Sequence, residues 1–144
     1  RPPAGSGIHP RTRGAGRLMA GGIAAAGAPR WISWWFRGAA VFGLVALLPQ
    51  YLLPQPTGAE LVAYGFIGTA AAFQLVFWVI AGDPVRYRPL MLPAVAEKLA
   101  FGLPALLLFA SGKVPAPVLL FGAIDLLLGL GFFLAWRAIP IHRA

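Results

Sequence analysis

The chain has 144 residues, 59% of them hydrophobic and 11% charged, with a mean hydropathy of +0.76. Soluble domains carry roughly 25% charged residues, so the apolar side chains here exceed what an interior can bury, and lipid is the expected neighbour of the remainder. That hydrophobicity excludes a disordered chain, and the absence of cysteine excludes disulfides, thiolate metal sites, iron–sulfur clusters and dithiol redox chemistry.

Residues 1–30 are rich in Gly, Ala, Pro and Arg, without an acid or a hydrophobic period, and read as a disordered basic tail lying on headgroups. Met19 is the first methionine, and a start there gives a short basic leader into the first apolar stretch; residues 1–18 are then expected to lie upstream of the true start. A cleavable signal peptide is the competing reading of the segment up to about residue 54. The apolar stretch is too long for one, at 22 residues against about 7–15, which favours a retained anchor.

A spanning helix needs about 20 mostly apolar residues. Positions 38–59 are free of charge between Arg37 and Glu60, and positions 61–82 are free of charge between Glu60 and Asp83. Positions 89–112 are broken only by Glu97-Lys98, and 114–136 only by Asp125. Four spans follow, at about 32–53, 60–82, 90–112 and 115–136, with a short tail at 138–144. Pro49, Pro54 and Pro56 end the first and Gly82-Asp83-Pro84 the second, because a helix does not readily continue past proline. Short connections at 54–59, 82–90 and 111–115 make successive helices antiparallel neighbours, so the expected fold is an all-α, integral-membrane, up-down-up-down four-helix bundle over residues 31–137. Strands of about 10 residues with alternating polarity, which a β-barrel needs, are missing.

Twelve Lys or Arg against four acids give +8 and a pI near 11.4. Their positions assign this excess to topology and not to nucleic acid. Arg1, Arg11, Arg13, Arg17, Arg30, Arg37, Arg86, Arg88, Arg137 and Arg143 fall on one side and Lys113 on the other, which puts both termini in the cytoplasm. Arg30, Arg86, Arg88 and Arg137 are expected at anionic headgroups, with Trp31, Trp34, Trp35 and Trp136 beside them and Trp78 at the same level. Asp83 and Arg86 read as a local turn. Tyr51 and Tyr64 read as interfacial tyrosines at the other end.

An Asp, Glu or Lys at the centre of a span costs about 2.5–3.5 kcal/mol on insertion scales. Asp125 has 11 uncharged residues on each side within its span, and Gly122 and Gly129 share its face. Small residues admit a neighbouring helix, so Asp125 is expected to point inward. Lys98 on the third span lies at about the same depth, with Ala94, Gly102 and Ala105 on its face, which predicts a Lys98–Asp125 pair. Glu97 then points about 100° away, toward Arg37 on the first span, and Gln74 on the second reaches a similar depth. Arg37, Gln74, Glu97, Lys98 and Asp125 thus form a neutral intramembrane polar cluster with members on every span. Three readings stay open: a network that fixes helix register, a proton-coupled or ligand-binding site in a cytoplasm-facing vestibule, or, if the third span begins at Pro93, a shallow Glu97-Lys98 pair near the headgroups.

His9 and His142 lie outside the spans, so a bis-histidine haem has no ligands, and no carboxylate–histidine group suggests a metal. Phosphate-binding loops, a G-x-S-x-G elbow and a Ser–His pairing are also missing. No catalytic residue and no cofactor is expected. The stretch from Asp83 to Arg137, with DPVRYRP, then Glu97-Lys98, then Asp125 in a Leu- and Gly-rich fourth span, resembles small four-helix bacterial inner-membrane proteins, broadly DoxX-like, over roughly residues 35–137. The resemblance implies a membrane bundle, with some members tied to redox or stress pathways, and carries no catalytic residue across. The expectation is a bacterial inner-membrane protein that is not an enzyme, acting as an accessory or structural component. Its rival is a small proton-coupled transporter, ligand-binding protein or sensor using Asp125 and Glu97. A membrane-bound subunit whose catalytic groups sit on another chain is a third reading. Expected partners are anionic lipid and either further copies of the chain or another membrane protein.

Overall fold

The computed structural model describes residues 27–140. The readings made above for the N-terminal tail, Met19, both histidines and the last four residues lie outside that range. Four long helices make the fold: α1 (Arg30–Leu47), α2 (Glu60–Gly82), α3 (Met91–Ala110) and α4 (Ala116–Ala138), with no strand among the described residues. Counted with their flanking 3-10 turns, each gives a 23-residue segment long and apolar enough to cross a membrane, about 34 Å at helical rise against a hydrocarbon thickness of about 30 Å. Only 22–33% of each span is buried within the fold, so each helix presents one inward stripe and an apolar outer surface. Leu52, Leu61, Val62, Val45 and Leu107 are among the large side chains left outside.

Local sequence sets the boundaries. Pro49 lacks an N–H, so α1 tightens into a 3-10 turn at Leu48–Leu52. The Gln50 side chain donates back to the Ala46 carbonyl at 2.9 Å. Glu60 opens α2, where its carboxylate accepts from Gly58 N–H at 2.8 Å and its charge suits a helix N-terminus. Asp83 forms the expected turn: its side chain accepts from Arg86 N–H at 3.1 Å and its carbonyl from Tyr87 N–H at 3.0 Å. A 3-10 turn at Arg88–Leu90 leads directly into α3, so the helix starts before Pro93. Counted from Arg88, Glu97 and Lys98 are the tenth and eleventh residues of this continuous helical segment.

The inward stripes carry small residues. α1 buries Ile32, Phe36, Ala39, Ala40 and Gly43; α3 buries Met91, Ala94, Lys98, Gly102 and Ala105. Of the small-residue pairs in the sequence, Ala39/Gly43 and Gly131/Ala135 are buried, whereas Gly68/Ala72 is not. α3 and α4 are the closest partners: a Cβ on Gly122 would lie 2.5 Å from the Ala105 Cβ, and one on Gly102 would meet Leu126 at 2.7 Å. Glycine is needed at both positions because the backbones approach so closely. α1 and α2 form the other pair, and the end of α1 also stacks Tyr51 on Tyr64, with centroids 5.7 Å apart.

At the arginine-rich end, three helices meet in an aromatic cluster. The Phe36 ring stacks on Phe132 at 4.2 Å, and Phe77 lies 4.8 Å from Phe132 and 6.2 Å from Phe36. All three are fully buried, together with Ile32, Ile80, Met91 and Ile139. Trp35 joins α1 to α4: its indole N–H donates to the Leu128 carbonyl at 3.4 Å, and its ring lies where a Gly131 side chain would stand. Arg88 closes the end of α4, with Nε donating to the carbonyls of Trp136 and Ile139 at 3.0 and 2.9 Å and the guanidinium 4.6 Å from the centroid of the Trp136 ring. These carbonyls lack an intrahelical donor, so a cation there satisfies both hydrogen bonding and the helix dipole.

Candidate functional site

The buried stripe of α2 runs Ile67, Ala70, Gln74, Phe77 and Ile80, so helical periodicity alone turns Gln74 inward; the same holds for Lys98 between Ala94 and Gly102 on α3. Both are almost fully buried, Gln74 at 1% exposure and Lys98 at 4%. Lys98 Nζ donates to Asp125 Oδ1 at 3.0 Å, the pair expected from depth, and lies 3.2 Å from Glu97 Oε2. Its ammonium sits 5.3 Å from the centroid of Phe77, so the aromatic cluster forms its floor. The backbone of α4 reaches this level because Gly129 lies against the Lys98 stem, where a Cβ would stand 3.1 Å from Lys98 Cβ.

The arrangement around Glu97 differs from the sequence expectation. Neighbouring residues on a helix project about 100° apart, but the four-carbon stem of Lys98 bends its ammonium back to the Glu97 carboxylate, and one cation serves both acids. Arg37 is not part of the cluster. It is exposed on the opposite side of Phe36, with its guanidinium 5.6 Å from the centroid of the Trp34 ring, in a shallow surface groove with Gly38, Val41 and Trp78. The cluster therefore consists of Gln74, Glu97, Lys98 and Asp125 from three helices, with a formal charge of −1 and not zero. Of the residues expected at headgroups, Arg30, Trp31, Trp34, Trp35, Arg86 and Arg137 are exposed. Arg88 and Trp136 are half-buried and hold one another, which sequence position alone did not reveal.

Above the cluster lies a cavity of about 490 Å³, within the range of about 300–1,000 Å³ usual for small-molecule sites. It extends from Gln74, Glu97, Lys98 and Asp125 toward the end that carries Gln50, Leu53, Pro117 and Val118. Its wall is largely apolar, with one phenylalanine from each helix: Phe42, Phe66, Phe101 and Phe121. The vestibule expected to face the arginine-rich end thus faces away from it, because Phe36, Phe77 and Phe132 fill the bundle on that side. The sequence reading missed these phenylalanines; an all-apolar helix carries no periodic signal that separates lining from plug.

Two side-chain oxygens in this wall lack a hydrogen-bond donor. Gln74 donates through Nε2 to the Ala70 carbonyl at 2.9 Å, which fixes its amide orientation, since a flipped amide would set its oxygen against that carbonyl. Oε1 is left unpaired beside Gly43, and a Cβ at Gly43 would collide with this carboxamide. Glu97 Oε2 keeps only its 3.2 Å ion-pair contact with Lys98, which lacks hydrogen-bond geometry. Buried polar atoms normally find partners. No group of three or more His, Cys, Asp or Glu suited to a metal ion occurs among the described residues.

The chain matches no known family model, curated protein or solved structure. Its function is therefore read from the cavity.

Proposed function

We propose that this chain is a multi-pass membrane protein that binds a small ligand within its bundle, as a transporter or sensor and not as an enzyme. The supporting observation is the cavity itself: about 490 Å³ with a polar floor of Gln74, Glu97, Lys98 and Asp125, two of whose oxygens lack donors. A network that served only to fix register would be expected to close on itself, because unsatisfied buried groups cost about 1–3 kcal/mol each. The helices cross up-down-up-down in a bacterial inner membrane, with the arginine-rich end in the cytoplasm by the distribution of basic residues. The cavity then faces the outer leaflet, and the phenylalanine cluster separates it from the cytoplasm.

A structural role is the second reading, favoured by the depth of Lys98 at 4% exposure between two acids. Cysteine accessibility distinguishes the two on this naturally cysteine-free background. Single cysteines at positions 42, 101 and 121 test the cavity, positions 36 and 132 the plug, and position 113 serves as the exposed control. A small water-soluble thiol reagent applied from the Lys113 side is expected to label the cavity positions and leave the plug positions untouched. Unreactive cavity positions beside a reactive position 113 would refute the binding cavity and leave the structural role.

A further inference from the structure

We infer that the cavity is built for an organic cation, a protonated amine carried on an apolar or aromatic body. This rests on the binding reading above and specifies the ligand's chemistry. The first observation concerns donors. Of the polar side chains lining the cavity, Gln50 donates through Nε2 to the Ala46 carbonyl, Gln74 through Nε2 to the Ala70 carbonyl, and Lys98 directs its ammonium at Asp125 and Glu97. Each of these donor groups already holds an acceptor, and the two carboxylates give the floor its excess of negative charge. The Glu97 and Asp125 side chains keep 13% and 14% of their surface exposed, whereas Gln74 Oε1 is enclosed against Gly43. A carboxylate or phosphate ligand would add a further negative group beside Glu97 and Asp125; an ammonium supplies up to three N–H groups to these carboxylates.

The second observation is charge. Two carboxyls and one ammonium leave the floor formally at −1, and a monocation makes the filled site neutral. The third is the wall. Phe42, Phe66, Phe101 and Phe121 line it, and aromatic rings of this kind attract cations to their faces. Phe66 and Phe101 stand 5.8 Å apart and close the cavity between α2 and α3. On the opposite side, α1 and α4 are joined by Trp35 with Leu128 and Gly131 and by Phe36 with Phe132. Phe42 and Phe121 each lie seven residues beyond the Trp35–Leu128 contact, about 10 Å further along their helices. Both are partly exposed, at 36% and 45%.

The test is equilibrium dialysis of the full chain in zwitterionic-lipid nanodiscs at pH 7, with binding to empty nanodiscs subtracted. The probes are 4-phenylbutylamine, the neutral 4-phenylbutanol and the anionic 4-phenylbutyrate. The amine is expected to bind at least tenfold more tightly than the alcohol, and the acid more weakly than either. Glu97→Gln is expected to bring the amine within threefold of the alcohol while leaving alcohol binding in place, and Glu97→Asp to retain the preference. Retained alcohol binding shows that the Gln variant is folded. Equal affinity for amine and alcohol, or tightest binding of the acid, overturns the cationic ligand and leaves the cavity standing. If no probe binds, labelled cysteines at positions 42, 101 and 121 confine the failure to the ligand class, whereas unlabelled ones remove the cavity as well.

Discussion

Replacing Lys98 by methionine removes the cation but keeps the length and apolar stem of the side chain, so it isolates the charge. Its contacts with Asp125 at 3.0 Å and Glu97 at 3.2 Å each correspond to about 5 kcal/mol of gross attraction at an effective dielectric of about 20. Much of this is offset in the folded protein by the desolvation of the three charges. What the substitution leaves behind decides the outcome: two carboxyls facing one another around an apolar thioether, over the buried Phe77 ring. Removing one partner of a buried ion pair costs about 3–5 kcal/mol, and Lys98 sits between two, so Lys98→Met is expected at the upper part of that range. Asp125→Asn leaves Lys98 its contact with Glu97 and an amide oxygen in place of Oδ1, so its loss should be about 1–2 kcal/mol. Unfolding in mixed micelles by increasing sodium dodecyl sulfate, followed by circular dichroism, measures both. A Lys98→Met protein within 1 kcal/mol of the parent, or no less stable than Asp125→Asn, would refute the ion triad as a stabilising element.

Two further substitutions test the packing around the site. Gly122→Ala places a Cβ 2.5 Å from that of Ala105, and the overpacking should separate α3 from α4 at a cost of about 1–3 kcal/mol in the same assay; unchanged stability would contradict the close approach. Arg88→Ala removes the donor shared by the Trp136 and Ile139 carbonyls, for a loss of about 1–2 kcal/mol. Faster amide hydrogen exchange is expected at residues 132–139, and unchanged exchange there would show that the end of α4 needs no cap.

The helix count was legible because a charge inside a span is costly, so the intervals between Arg37, Glu60, Asp83 and Lys113 mark the turns by themselves. The Lys98–Asp125 pair was legible for a related reason: rise per residue converts sequence position into depth, and two groups at one depth on sequential helices meet. Rotation about the helix axis was harder to read. Arg37 lies one residue from the buried Phe36, a step of about 100° that carries it from the core to the outer surface; Arg30, Ser33 and Arg37 recur at i, i+3 and i+7, a polar face of α1 that pairing by depth left out of account. The direction of the cavity was hidden for a similar reason. It follows from where bulk accumulates, with Phe36, Phe77 and Phe132 gathered at one end from positions far apart in the chain, and Gly43 and Ala70 leaving room above.

The sharing of one ammonium between α3 and α4 also bears on how the polypeptide is made. In the membrane arrangement proposed above, α3 carries its own counter-charge, Glu97 against Lys98, whereas α4 carries Asp125 without one, at about 2.5–3.5 kcal/mol. Ser111–Pro115 is a short connection, and Lys98 and Asp125 lie 27 residues apart. The ribosome therefore releases Asp125 soon after Lys98, and the two segments are suited to enter the bilayer together as a pre-paired hairpin. With Lys98 replaced by methionine, Asp125 would reach the bilayer without that counter-charge, and α4 should be held at the insertion machinery longer than in the parent chain.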